Sequence, residues 1–325
     1  MSLTVREETW PIAGSFTISR GSRTEVRVVV AEISQGGVTG RGECVPYAHY
    51  GESVEGVMAA IEAMADPIAD GLDRQALQSA LPPGAARNAL DCALWDVQAK
   101  RSGEPVWRLA GLAEPGPLIT AYTLSLDSPE AMGNAAAANA ARPLLKLKLG
   151  GEGVVERVAA VRASAPQSRI IVDANEAWTV DLLAEASPEL ARLGVEMIEQ
   201  PLPAGSDGGL AGIERLVPLC ADESCHDSAS LAGLESRYDI INIKLDKTGG
   251  LTEALALADA ARAAGLGIMV GCMIGTSLSM APATLVAAHA SFVDLDGPLL
   301  LARDHQPGIV FEGSIMQPPP PALWG

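Results

Sequence analysis

Residues 144–150 read LLKLKLG, 169–175 RIIVDAN, 196–201 EMIEQP and 218–224 PLCADES. Each is a short apolar run of strand length with a charged residue near its end, and each is followed by an Ala- and Leu-rich stretch that reads as helix. The texture recurs in LITAYTLSL (118–126), DIINIKLDK (239–247), GIMVGCM (267–273) and FVDLDGP (292–298), the last without a helical stretch behind it. The polar strand residues Lys148, Asp173, Glu199, Asp222 and Lys244 lie 25, 26, 23 and 22 positions apart. One strand, one helix and two short loops fill such a spacing. Eight units of this kind predict an α/β fold, a TIM-type (β/α) barrel over residues 116–300 with right-handed crossovers.

Before the barrel the pattern changes. Residues 16–33 alternate as a strand, with Val26, Val28 and Val30 on one face, and Gly36-Gly37 marks a hairpin turn into a second strand. Residues 54–101 read as helices, most clearly from Ala85 to Arg101, where Leu90, Leu94 and Val97 share a face and Ser102-Gly103 ends the run. These elements predict an α+β domain over 1–115. The tail, 301–325, ends in Pro318–Pro321, which cannot be helical, and is expected to return over the first domain.

A chain of 325 residues, 48% hydrophobic and 19% charged, can bury two sizeable cores without disulfide or metal staples. A net charge of −17 argues against nucleic acid or an anionic membrane as partner. The five cysteines are scattered and form no CxxC, which points to free thiols, no zinc and a cytoplasmic location. The N-terminus carries charges where a secretory apolar core would lie. Residues 263–293 carry no charged residue other than histidine, but Gly265, Gly267, Gly271, Gly275 and Pro282 divide them into a buried strand, a loop and a helix rather than a membrane span.

Lysine usage is the sharpest anomaly. The chain has 18 arginines and only five lysines, and Lys146, Lys148, Lys244 and Lys247 lie in two apolar strands. Burying an ammonium is expensive, and only lysine, not arginine, can be brought to lose its proton there. Lys146 and Lys148 share a strand face, so each is expected to lower its neighbour's pKa. The next three strands end in Asp173, Glu199 and Asp222. Three carboxylates at converging strand ends repel one another unless a divalent cation lies between them, and all-oxygen ligation favours Mg²⁺. Lys148 on the second strand and Lys244 on the sixth then face each other across the barrel. Lys244 and Asp246 are expected to share a strand face, Lys247 to be structural by its opposite parity, and Thr252 to cap the following helix. Asp294 and Asp296 form a second same-face pair on the eighth strand. His49, His226, His289 and His305 have no metal-ligand spacing and read as structural or surface residues. The glycine-rich stretches match no phosphate-binding loop, and GTSLS is not a nucleophile elbow.

KLKLG, VDAN, IEQP, ADES, NIKLDKTGGLTEAL and DLDGP, in that order, together with ARNALDCALWD near the N-terminus, resemble the enolase superfamily, muconate-cycloisomerase subgroup, and within it the dipeptide epimerases that act on L-Ala-D/L-Glu. That superfamily is known for lysine or histidine bases working with Mg²⁺. The resemblance implies a modified (β/α) barrel with an N-terminal capping domain, and an isomerase that moves a proton at the α-carbon of the C-terminal residue of a dipeptide. It implies Asp173, Glu199 and Asp222 as Mg²⁺ ligands, Lys148 and Lys244 as the acid/base pair and Lys146 as support for Lys148. It further implies substrate contacts from Asp294 and Asp296 to the free ammonium, from Arg23 (with Arg20 nearby) to a glutamate side chain, and from Thr123. The segment GCMIGTS (271–277) departs from versions of the motif that carry an acidic residue. An o-succinylbenzoate synthase, an N-acylamino-acid racemase, a cycloisomerase, a dipeptide epimerase of different specificity and a non-enzymatic barrel scaffold are the alternatives. A small dipeptide is the expected partner, with a homo-oligomer left open.

Overall fold

The computed structural model describes residues 1–288 and 290–325, so the reading of His289 lies outside the described residues. Three antiparallel strands open the chain: β1 (Ser2–Ile18), β2 (Gly21–Gln35) and β3 (Val38–Cys44). The β2–β3 turn falls at Gly36-Gly37, as expected, and both glycines take the left-handed conformation it needs. The single strand expected over 16–33 is instead divided by a turn at Ser19-Arg20, and most of β1 was not legible, because its outer positions are exposed and its register with β2 breaks between Pro11 and Phe16. The long helix Ala85–Ser102 crosses this sheet and ends at Gly103, in the left-handed cap conformation. Two glycines of β3 let the helix come close. A Cβ on Gly40 would lie 2.2 Å from Val97 N, and one on Gly42 2.1 Å from Ala89 O.

Eight parallel strands follow in sequential order: Tyr122–Leu124, Leu144–Lys148, Arg169–Asp173, Val195–Glu199, Leu219–Ala221, Ile240–Ile243, Gly267–Gly271 and Phe292–Asp294. The first and eighth meet through one backbone bond, Ala121 N to Val293 O at 2.8 Å. Side chains complete this seam: Thr120 Oγ1 accepts from Leu295 N (2.8 Å) and Asp296 Oδ2 from Thr123 N (2.7 Å). The run 118–126 is not one strand. Leu118–Ile119 instead joins a small antiparallel sheet with Phe311–Glu312 and Ile315–Met316.

The helical stretches expected after the fourth and fifth strands are absent among the described residues. Only 3₁₀ turns occur there, Gly208–Gly212, Ser228–Leu231 and Leu234–Ser236, because Pro203, Gly205, Gly208, Gly209 and Gly212 interrupt the first connection and the second is shortened by side-chain caps such as Asp227 to Ser230. Residues 263–293 divide into a helix end, a buried strand and the fully buried helix Ser277–Ala287, and no described helix is long and apolar enough to cross a membrane.

The barrel interior is layered. A plug of Ala121, Leu144, Ile171, Met197, Cys220, Ile240, Met269 and Phe292, one residue for each strand, seals its lower part. Two residues further along every strand, on the same face, stand Thr123, Lys146, Asp173, Glu199, Asp222, Asn242, Gly271 and Asp294. Lys148 and Lys244 are a further two residues up. The alternation that places an apolar residue in the plug therefore places the chemistry above it. At the other end of the chain, Trp324 Nε1 donates to Cys92 O (3.0 Å) and Gly325 N to Asp96 Oδ1 (2.9 Å), tying the tail to the long helix.

Candidate active site

The polar layer is a web of buried ion pairs. Lys148 Nζ lies 2.5 Å from Asp173 Oδ2. Lys146 Nζ lies 2.7 Å from Asp294 Oδ2, 2.7 Å from Glu199 Oε2 and 3.3 Å from Asp173 Oδ2. Lys244 and Lys247 hold the two oxygens of Asp222, at 2.6 and 2.7 Å. Burial would strip Lys146 of its charge, but Asp294, Glu199 and Asp173 outweigh it and hold its pKa well above the ordinary lysine value. The expectation that the two KxK lysines lower each other's pKa therefore fails for Lys146: carboxylates, not its neighbour, dominate its surroundings. Burial likewise opposes charge on Lys244, and Asp222 with Glu199 overrides it upward.

Burial also pushes the carboxyls up. Lys148 and Lys146 reverse this for Asp173, bringing it down to about 2, and Lys244 and Lys247 take Asp222 well below its usual range. Glu199, buried and facing Asp173, is instead raised to about 7. Its Oε2 touches Lys146 without hydrogen-bond geometry, and it is an orphaned acceptor; Oε1 accepts from Asn242 Nδ2 at 2.7 Å. Three buried carboxylates on consecutive strand ends, with no histidine or thiolate in the set, fit a hard divalent cation such as Mg²⁺. Their oxygens do not converge as a threesome here, because lysines stand between them. Among the described residues, the group whose ligand atoms lie within 4.8 Å of one another is His49, Glu176 and Glu223.

Above this layer opens a cavity lined by Lys148, Lys244, Asp222, Glu223, Asn175, Arg20, Arg23, Phe16, Tyr47, Tyr50, Met273 and Ile274 among others. Lys148 and Lys244 thus reach one space from opposite strands. Arg23 is exposed at its rim and, among the described residues, has no ion pair; its guanidinium is 6.0 Å from the Tyr47 ring centre. Arg20 is already committed, to Glu223 Oε1 (2.9 Å), Glu176 Oε2 (3.1 Å) and Tyr47 OH (3.1 Å). Asp294, Asp296 and Thr123 do not line this cavity. Asp294 faces Lys146, with its Oδ1 unpartnered. Asp296 follows the eighth strand, accepts from Thr123 N, and is raised to about 7 by burial and then by Asp294. Thr123 lines a separate space that shares Phe16.

Several details differ from expectation. The sixth strand ends at Ile243 and Lys244 is the extended residue that caps the helical turn Leu245–Thr248, so Asp246 and Lys247 belong to that turn and pleat parity does not apply to them. Lys247 is fully buried against Asp222 and Asn242 O. Asp246 turns away from the cavity to the N-terminal domain, accepting from Val45 N (3.0 Å) and Asn88 Nδ2 (2.8 Å). Thr252 is not a cap. Asp91 of the long helix accepts from its N and Oγ1, serving that helix start from another domain. Sequence reasoning missed Asn242, Glu223, Tyr47 and Tyr50. The step of two along each strand pointed to Asn242; nothing in their own segments singled out the tyrosines. Asn175, Glu176 and Gln200, just past the carboxylates, hold left-handed backbone without being glycine, a strain that functional sites tend to retain.

Residues 131–319 match the family model "Enolase C-terminal domain-like", and 1–111 match "Mandelate racemase / muconate lactonizing enzyme, N-terminal domain". The chain is 49% identical to the L-Ala-D/L-Glu epimerase of Escherichia coli K12, over 94% of this chain and 96% of that one. It is 45% identical to an N-acetyl-D-glutamate racemase of Pseudoalteromonas, over 92% and 95%. Among solved structures it resembles an enolase family member from Agrobacterium tumefaciens with homology to dipeptide epimerases, which holds sodium and L-Ala-L-Glu with an ordered loop (57% identity, TM-score 0.98, 99% of both chains). It also resembles a dipeptide epimerase from Enterococcus faecalis complexed with Mg and L-Leu-L-Tyr (29% identity, TM-score 0.90, 98% and 96%). With both domains matched and the lysine–carboxylate layer in place, this chain belongs to the mandelate racemase/muconate lactonizing enzyme family of the enolase superfamily and is an isomerase of that family.

Proposed function

We propose that the protein is a Mg²⁺-dependent dipeptide epimerase that interconverts L-Ala-D-Glu and L-Ala-L-Glu. The observation that carries this is the pair of buried lysines from the second and sixth strands, Lys148 and Lys244, lining one cavity, each matched to its own carboxylate. Asp173, Glu199 and Asp222 would hold the ion, which when bound supplies electrophilic stabilisation to the substrate carboxylate as the α-proton leaves. One lysine takes that proton, and the lysine opposite returns one to the other face. Reversal exchanges their roles, so in each direction one is the amine and the other the ammonium. Lys146 steadies the layer by joining Asp294, Glu199 and Asp173. Arg23, unpaired at the rim, takes the glutamate side chain, with residues 1–115 as the cap over the barrel and 301–325 as the strap that returns to it. Such an activity belongs to the recycling of peptidoglycan peptides, in the cytoplasm.

A second reading has support of its own. Asp294 already shares the Lys146 ammonium, and Asp296 is raised to about 7 and accepts from Thr123 N, so the pair offers a substrate ammonium less negative charge than two free carboxylates would. An N-acylated glutamate, which has none, is the substrate this favours. Both readings are tested by following α-proton exchange in D₂O with L-Ala-D-Glu and N-acetyl-D-glutamate side by side. Faster exchange of the dipeptide, lost on chelation and restored by Mg²⁺, is expected. Preference for the acylated acid would establish the rival, and full activity after exhaustive chelation would remove the metal from the mechanism.

A further inference from the structure

The two lysines are held very differently. Lys244 leads into the turn Leu245–Thr248, then Gly249-Gly250 and the helix Leu251–Ala263. One turn of the long N-terminal helix grips this segment along its length. Asn88 Nδ2 donates to Asp246 Oδ1 (2.8 Å). Arg87 donates to Thr248 O (2.7 Å) and Gly249 O (3.2 Å). Asp91 accepts from Thr252 N (2.9 Å) and Oγ1 (2.6 Å). All three gripping side chains are buried. Contact is close enough that a Cβ on Gly249 would lie 2.4 Å from Arg87 Nε, and one on Gly250 2.5 Å from Asp91 Cβ. Lys148 has no such tether on its own strand end among the described residues; the N-terminal domain reaches only its counter-ion's segment, where Ser19 Oγ and Arg20 donate to Asn175 O (3.2 and 3.1 Å), two residues past Asp173. The Lys148 strand end is held by barrel groups, Leu149 N to Asp173 O (2.9 Å) and Trp178 Nε1 to Gly150 O (2.9 Å), and the centre of the Phe16 ring of β1 lies 6.0 Å from the Lys148 Nζ.

We propose that Arg87, Asn88 and Asp91, acting through Asp246 and the 248–252 backbone, are positioning residues for Lys244 alone, so that the long N-terminal helix sets the rate of one stereochemical half of the reaction. This rests on the two-lysine reading above. Asp246 is the connecting element. It sits two residues from Lys244 on a turn whose Lys247 also holds Asp222, so a shift of that turn moves the acid/base nitrogen and its counter-ion together.

The test is α-proton exchange in D₂O measured separately from each diastereomer of Ala-Glu, with Lys244→Ala identifying which diastereomer Lys244 deprotonates. In Asn88→Ala, kcat for exchange from that diastereomer is expected to fall roughly tenfold to a hundredfold, as misplacement of a reacting group does, while the other diastereomer changes little and KM holds. A merely structural role for Asn88 would lower both alike. Equal losses, or none, overturn the proposal. Should Asn88→Ala not fold, the near-isosteric Asp246→Asn is read by the same ratio and the same two outcomes. Absence of exchange from either diastereomer in the unaltered protein would instead defeat the two-lysine reading, and this proposal with it.

Discussion

Replacing Arg23 by methionine removes a guanidinium that has no protein carboxylate to leave behind. The side chain is exposed and, among the described residues, makes no ion pair, so Arg23→Met is expected to leave stability within about 0.5 kcal/mol of the parent. Its effect should fall on substrate. A charge-assisted pair with a glutamate carboxylate contributes on the order of 1.5–3 kcal/mol, and the open rim, where water screens the charges, favours the lower end. The expected loss in kcat/KM for L-Ala-L-Glu is therefore roughly tenfold. Arg20→Met should behave otherwise. It releases Glu223 and Glu176 and the β1–β2 tip they hold, and should impair every dipeptide. The assay is initial-rate epimerisation of L-Ala-L-Glu and L-Ala-L-Leu by both variants. Equal losses on the two substrates in Arg23→Met would refute the reasoning and make Arg23 a loop residue.

Lys148→Ala and Lys244→Ala should each abolish net epimerisation while one diastereomer still exchanges its α-proton, which NMR in D₂O detects; near-parental turnover in either would end the two-base mechanism. Gly42→Ala places a methyl carbon 2.1 Å from Ala89 O, a backbone atom that yields only if the long helix moves, and should cost about 2 kcal/mol or more in urea unfolding. Burial raises Asp91 to about 6, above the roughly 3.9 of an unfolded aspartate, so the folded state binds the extra proton and stability declines as pH rises from about 4 through 6. Asp91→Asn lacks this slope, and the gap between the two unfolding curves should change by up to ~3 kcal/mol over that window; parallel curves would show that Asp91 does not titrate there.

The barrel was legible because its signal repeats. Every strand but the seventh, where Gly271 stands, pairs an apolar residue with a polar one two positions on, at spacings that fit one unit, and this brought Lys148, Lys244 and the three acids together in advance. What was not legible depends on contacts between distant segments. Asp246 lies in a run that reads as continuous strand, and its turn away from the barrel is fixed by Asn88, 158 residues earlier. Thr252 looks like a helix cap until Asp91 supplies that role. The missing helices after the fourth and fifth strands are a local failure, since glycine and proline in the first connection and side-chain caps in the second outweighed a favourable composition. Arg20 and Arg23 are indistinguishable in SRGSR; only the positions of Glu176 and Glu223 commit one and leave the other open.

The barrel seam makes a further point about how the protein breathes. Seven strand interfaces carry ladder pairing, but the eighth rests on one backbone bond and two side-chain acceptors. In native-state hydrogen exchange, the amides of Ala121, Thr123 and Leu295 should therefore lose protection together, through a subglobal opening well below the energy of full unfolding. The Lys146–Asp294 ion pair reaches across this line, from the second strand to the eighth. Closure of the cylinder and integrity of the lysine–carboxylate layer are thus one cooperative event, and a substitution at Asp294 should loosen the fold at the seam before it loosens it anywhere else.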